Sequence, residues 1–366
     1  MVAGLVSTLR ARLRDERVFA AVVLLAYLPV AVFATVHHEM WRDELHCWLV
    51  ARDSPTPWDV VHNRAYDGQP PLWYLLLWVL EKTTHRPVVM RVVHVAIAAA
   101  CVVLFAWKAP FGRSLRAVFP FGYFLAYEYV AISRCYGLAL LLALLVCVNH
   151  PRRAERPWTV GVLLALLALT TTVATCVVAA YTAAIAVDWA WGAVREGRRR
   201  IADAPWIPVA CAFAGCLAAA LCAWPPADST VTHVRWPTEL PSDDGPTRVL
   251  VALAPIPRAD FFFWNSNALL SWEPFRPWAL LVSALLAAWI VFVLARDRVA
   301  AVLFGVGVVL LVALFAFVYG GDVRHHGFIF VLFLMGAWIV RGAGRRGAGK
   351  GTVARFRDRA LVPTLA

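Results

Sequence analysis

Ten predominantly apolar runs divide this chain of 366 residues, at 18–36, 88–107, 116–131, 134–149, 158–172, 173–191, 205–224, 277–295, 299–319 and 326–340. A helix needs about 20 apolar residues to cross a bilayer, with roughly 17 tolerated. Lipid offers no partner to a backbone N–H or C=O, so spanning segments are helices or closed barrels, and runs of this length suit helices. Apolar and aromatic residues make up 61% of the chain and charged residues 16%, well below the share in soluble domains. The expected fold is an all-α polytopic integral membrane protein of about ten transmembrane helices, forming a single domain over residues 1–366.

Local signals refine this outline. The stretch 158–191 is too long for one helix, and Thr170–Thr172 is the expected break between two short ones. Arg10, Arg12, Arg14 and Arg17 precede the first run, which lacks an A-x-A site. It therefore reads as a retained first helix rather than a cleaved signal. The eight cysteines form no C-x-x-C pair and mostly fall inside apolar runs. They read as small packing residues, not as a disulfide framework or zinc site.

The segment Pro70–Leu80 is apolar but short, and it is flanked by Asp67, Glu81 and Lys82. Charge decides its placement. If it lies along the interface, the cytoplasmic segments hold 23 of the 35 Arg and Lys residues and 8 of the 23 Asp and Glu residues. The opposite face then holds 12 basic and 15 acidic residues, a strong positive-inside bias. If the segment crossed, every later loop would flip and the basic loops would alternate sides. The interfacial reading puts both termini in the cytoplasm of a cell whose plasma membrane the chain spans. Residues 37–87 become a first external loop with interfacial helices, 225–276 a long external loop, and 341–366 a basic cytoplasmic tail. The net charge of +12 then reflects topology and contact with anionic lipid, not nucleic acid. Prolines rule out a continuous helix through 225–276. Its aromatic cluster Phe261–Asn265 suggests a loop dipping into the interface, as a lid over a pocket or as an anchor.

Ionisable residues at helix ends on one face are costly to keep near lipid and are functional candidates. Three clusters share the external face. In the first, Asp43 through Arg52 reads as a short amphipathic helix with Leu45, Trp48 and Leu49 on one side. Asp43 stands at its start, either as a solvated cap or as a general base at the lipid–water boundary. His37, His38, Asp43 and His46 are donor types that could hold a divalent metal, but their spacing is loose and no metal is assigned. In the second, Glu128 and Arg134 lie among Tyr127, Tyr129 and Tyr136, suiting a saccharide- or phosphate-lined pocket or an interfacial aromatic belt. In the third, Arg324 and His325 fall in the segment Gly320–Gly327 between the last two helices. Such a turn could hold a headgroup phosphate or be a plain polar hairpin. Arg91, just before the second span, adds a cation at the same depth.

These residues resemble the GT-C superfamily of polyprenyl-phosphate-dependent glycosyltransferases, near its protein-mannosyltransferase and aminoarabinose-transferase branch. Trp41-Arg42-Asp43-Glu44 is similar to the Asp-Glu pair that opens the first external loop in that family. Gln69-Pro70-Pro71-Leu72-Trp73-Tyr74 is similar to its Pro-Pro-Leu-aromatic interfacial helix. Arg91 stands where an Arg begins the second span, and Glu128 to Tyr136 matches the acidic, Arg- and Tyr-containing second loop. The resemblance covers residues 18–150 well and the remainder in outline. Gln69 replaces a common His, Ile132 stands where the family has its second acidic residue, and no large soluble C-terminal domain follows the last span.

The resemblance implies a sugar donor carried on a polyprenyl phosphate, with membrane lipid as the donor's environment and a glycan, lipid or small molecule as acceptor. Asp43 would deprotonate the acceptor as it attacks the anomeric carbon with inversion. Arg91, Arg134 and Arg324 or His325 would balance the phosphate charge, while Glu44, Glu128 and Tyr136 would contact the substrates. Rival expectations are a transporter or flippase of lipid-linked sugars, and a non-catalytic membrane scaffold.

Overall fold

The computed structural model describes residues 15–195, 201–224, 226–228, 247–258 and 267–344. Arg10, Arg12, Arg14, the cluster Phe261–Asn265 and the basic tail beyond residue 344 lie outside the described residues. Among those described, every regular element is helical. The longer helices are α1 (Glu16–Val36), α2 (Arg42–Arg52), α3 (Pro57–Asn63), α4 (Leu72–Glu81), α5 (Val89–Lys108) and α6 (Arg113–Val118). They are followed by α7 (Tyr136–Asn149), α8 (Pro157–Ala168), α9 (Thr172–Val194), α10 (Trp206–Ala223), α11 (Arg248–Leu253), α12 (Ala279–Leu294), α13 (Arg298–Phe317) and α14 (Val323–Gly344). Seven helices are long and apolar enough to cross a membrane: α1, α5, α9, α10, α12 with its preceding turn, α13 and α14. The apolar helices α4, α7 and α8 are shorter.

Helix ends follow local chemistry. Asp15 accepts from the Arg17 and Val18 amides at the start of α1, and Asp297 accepts from Ala300 N at the start of α13. The expected break near Thr170–Thr172 separates α8 from α9, and its freed polar groups are used by the first loop. Leu72 N donates to Leu169 O at 3.0 Å, Thr171 Oγ1 to Gln69 Oε1 at 2.9 Å, and Thr172 Oγ1 to Gly68 O at 2.8 Å. The break thus fixes the start of α4. With 10 residues, α4 is about 15 Å long, half the thickness of the hydrocarbon core.

Two expected helices take a different form. The run 116–131, read as one span, is divided into α6, a 3₁₀ turn Phe119–Phe121, a π-helical turn Phe124–Glu128 and a short α-turn Tyr129–Ala131. Pro120 lacks an N–H and interrupts the ladder, which hydropathy alone does not register. The last helix begins at Val323, so Arg324 and His325 belong to its first turn and not to a connecting hairpin.

α14 is buried on nearly all sides and forms the centre of the molecule, against α7, α11 and α13. Such a helix is apolar all round because no face meets solvent or lipid. Gly327 lets it approach the π-turn: a Cβ there would collide with the Phe124 ring and the Tyr129 hydroxyl. Arg324 is therefore carried into the interior by the most enclosed helix of the fold.

Candidate functional site

The start of α2 is built around Glu44. Trp41, not Asp43, is its N-cap residue, and Glu44 at the third helical position accepts the Trp41 amide at 2.9 Å through Oε2. The same oxygen accepts His38 Nε2 at 2.7 Å, and Oε1 accepts the Ser133 amide at 2.6 Å. Glu44 is fully buried. Burial pushes its carboxyl upward, yet the His38 hydrogen bond and the Trp41 and Ser133 amides outweigh that and hold it below the usual carboxylate range. The expectation that Asp43 caps the helix is corrected. Glu44 does the capping, and its oxygens are committed inside the protein.

Asp43 is thereby left 40% exposed at the surface of the site. Its Oδ2 lies 3.5 Å from Arg324 Nη2, while Arg324 also pairs with Asp322 Oδ2 at 2.7 Å. The Arg324 guanidinium stands 5.4 Å from the centre of the Trp41 ring, a cation–π contact that fixes its plane. From below, Arg134 Nη1 donates to the Asp43 carbonyl at 2.7 Å and to Cys47 Sγ. Arg134 is buried, and among the described residues no carboxylate lies within ion-pair distance of it. A buried cation without a counter-ion is expensive unless an anion visits it.

Arg134 is held by α5. His94 is fully buried between the Arg134 carbonyl, 2.8 Å from Nε2, and the Val130 carbonyl, 3.1 Å from Nδ1. Arg91, three residues earlier, donates to the His38 carbonyl at 2.6 Å. Its guanidinium ties the first loop to α5. His325 is engaged inside the protein as well. Its Nδ1 accepts the Asp322 amide at 2.9 Å, so Nε2 carries the proton and faces the Tyr136 hydroxyl at 2.8 Å. Both ring nitrogens are spent in a neutral, buried imidazole, which leaves Arg324 as the cation from α14. Tyr136 is also buried and serves as this imidazole's partner.

Glu128 is fully buried, accepting from Tyr123 Oη at 2.7 Å through Oε1, while Oε2 has no partner. Tyr123 also lines an apolar groove of about 580 Å³ formed with Phe119, Leu125, Leu253, Ile290 and Phe330. Glu128 therefore stands behind the groove wall and makes no hydrogen bond with Asp43.

The three histidines at the start of the first loop go separate ways. His37 Nδ1 lies 2.9 Å from Phe33 O, His38 serves Glu44, and His46 Nε2 is 3.3 Å from Asp67 Oδ1. Among the described residues no three His, Cys, Asp or Glu side chains gather as metal ligands. Asp67, which also accepts from Tyr74, extends the polar surface beside Asp43 and was read from sequence only as a flank. Asp322, Cys47, Ser133 and His94 were missed as well; their roles depend on tertiary contacts that residue spacing does not encode. The structure thus brings together Asp43, Arg134 and Arg324, supported by Glu44, Arg91, Tyr136 and His325. No family model, curated protein or solved structure matches the chain.

Proposed function

We propose that the chain is a membrane glycosyltransferase of the GT-C type, moving a sugar from a polyprenyl-phosphate donor to an acceptor hydroxyl or amine on the non-cytoplasmic face. The observation that carries this reading is an accessible carboxylate, Asp43, 3.5 Å from the largely buried Arg324, with a second largely buried arginine, Arg134, bonded to the carbonyl of the same residue. A base beside fixed cations is what displacement of a phosphate from a sugar requires. The acceptor oxygen attacks the anomeric carbon as its proton passes to an Asp43 carboxylate oxygen. The bond from the anomeric carbon to the phosphate oxygen breaks, and its electron pair leaves with the phosphate. That leaving group departs without a proton, so one base suffices where glycosidases also need an acid. The arginines stabilise the charge that develops on it, and fixed cations in a dry site do this most effectively. The apolar groove behind Tyr123 offers room for an isoprenoid chain.

The topology that goes with this reading has about ten spans. To the seven long helices it adds α7, α8 and the segment 113–131, and it leaves α4 along the external interface of the plasma membrane. Both termini are then cytoplasmic by the positive-inside rule. The direct test is to incubate the purified protein with polyprenyl-phosphate-linked sugars and glycan or lipid acceptors. Release of polyprenyl phosphate with sugar-bearing product supports the proposal. Translocation of the intact donor across proteoliposomes, with no transfer, identifies a flippase instead.

A further inference from the structure

Tyr319 follows the end of α13 and stands five residues before Arg324. The Val318 and Tyr319 amides both donate to the Leu314 carbonyl, at 3.0 Å and 2.9 Å, so the helix ends on a widened turn. Gly321, at φ +70°, then reverses the chain into α14. The reversal is tight: a Cβ on Gly321 would lie 3.2 Å from the Phe315 and His326 rings and 3.3 Å from His325 Cβ. It brings Tyr319 against the first turn of α14, the turn that carries Arg324.

The Tyr319 ring meets the His325 imidazole edge to face, with centroids 5.1 Å apart and planes at 84°. That imidazole is itself fixed, because the Asp322 amide and the Tyr136 hydroxyl hold its two nitrogens at 2.9 Å and 2.8 Å. The tyrosine is thus braced on one side, yet it remains 39% exposed. It lies close enough to Asp322, Arg324, Asp43 and Arg134 to feel all four charges. A tyrosine that only anchors a protein among lipid headgroups has no need of such neighbours. A rigid, partly open ring beside Arg324 and Asp43 is placed to meet what a bound phosphate carries.

We infer that the Tyr319 ring is the platform for the donor's sugar, stacking on the C–H face of a pyranose whose phosphate is held at Arg324. This role rests on the transfer reaction proposed above and names the part of the substrate that is read here. The sugar is bonded directly to the phosphate, so it must lie beside that cation. Trp41, the other ring at Arg324, already lies against the guanidinium. An aromatic face is electron-rich, and the transition state of glycosyl transfer carries positive charge on the sugar ring. Stacking therefore strengthens as the bond to the phosphate oxygen breaks. A polyprenyl phosphate without its sugar offers nothing for the ring to stack on.

The test uses the full-length protein in detergent, a polyprenyl-phosphate sugar that it transfers, and sugar-free polyprenyl phosphate as a competing inhibitor. Tyr319→Leu should raise KM for the donor about 10-fold and lower kcat, while Ki for polyprenyl phosphate and Tm stay unchanged. Tyr319→Phe keeps the ring and should remain within about twofold of the unaltered protein. Should Tyr319→Leu lower Tm, Tyr319→Gln gives the same comparison; a Tm lost in both makes the ring structural and overturns the role. An unchanged donor KM, a Ki that rises in step with KM, or a loss in Tyr319→Phe equal to that in Tyr319→Leu would overturn it as well. If the unaltered protein transfers sugar from no such donor, the transfer reading itself fails and this role falls with it.

Discussion

Glu44 Oε1 accepts the Ser133 amide at 2.6 Å, joining the start of α2 to the loop before α7 across 89 positions of the chain. This one bond aligns the two segments that supply Asp43 and Arg134. Glu44→Ala would leave the half-buried Trp41 amide, the buried Ser133 amide and the His38 ring without their acceptor. An unsatisfied buried group costs about 1–3 kcal/mol, so the loss of stability should be about 3 kcal/mol, measured by unfolding in detergent. Because the native carboxyl is held below its ordinary pKa, its contribution is present above that ordinary value and is lost as pH falls through the native one. Glu44→Gln should flatten that part of the acid limb.

Arg324 meets Asp43, Asp322 and the Trp41 face with one planar group. Lysine keeps the charge but cannot span all three. Arg324→Lys should lower turnover by about 10²-fold, as loss of a fixed charge-stabilising group does, with little change in thermal stability. Steady-state kinetics beside an unfolding curve separate the two effects.

Gly327 stands where α14 touches the π-turn, and Tyr129 Oη donates to the Arg324 carbonyl at 2.9 Å just above it. A methyl group there must push α14 off Phe124 and Tyr129. Gly327→Ala should cost about 1–3 kcal/mol by overpacking. Turnover should fall too, since the displaced backbone is the one that carries Arg324.

The hydrogen bond with Asp67 holds the His46 imidazolium above its ordinary pKa against the opposing effect of burial. A raised native pKa means that this pairing stabilises the fold at low pH and is lost as pH rises through the native value. Asp67→Asn should move the His46 titration downward, which NMR of ring-labelled histidine reads directly. An unchanged titration would remove Asp67 from the electrostatics of the site.

The long apolar helices and the Thr170–Thr172 break are legible in sequence because each is set by local hydropathy and turn chemistry. The short helix α2 is legible for the same reason, but its buried face is not: it runs through Glu44, Cys47, Trp48 and Ala51 and leaves Leu49 exposed, where sequence placed Leu45, Trp48 and Leu49 together. The division of 116–131 is not, since Pro120 and the π-turn act inside an unbroken apolar run. Within the site, spacing identifies Asp43, Arg134 and Arg324 as candidates but does not tell a buried, fully bonded carboxylate from an exposed one. Asp43 and Glu44 are neighbours of the same type. Only the Ser133 amide and His38, brought in by folding, commit one and leave the other exposed. His325 looks like a cation until the Asp322 amide on its Nδ1 fixes it as neutral.

The central claim is that Asp43 takes the acceptor's proton, and Asp43→Asn tests it most directly because the amide keeps the shape and removes the base. Transfer from a polyprenyl-phosphate sugar by the purified variant should fall by about 10²–10⁴-fold, the usual contribution of a positioned general base, with unchanged thermal unfolding. Turnover equal to that of the unaltered protein would contradict the account.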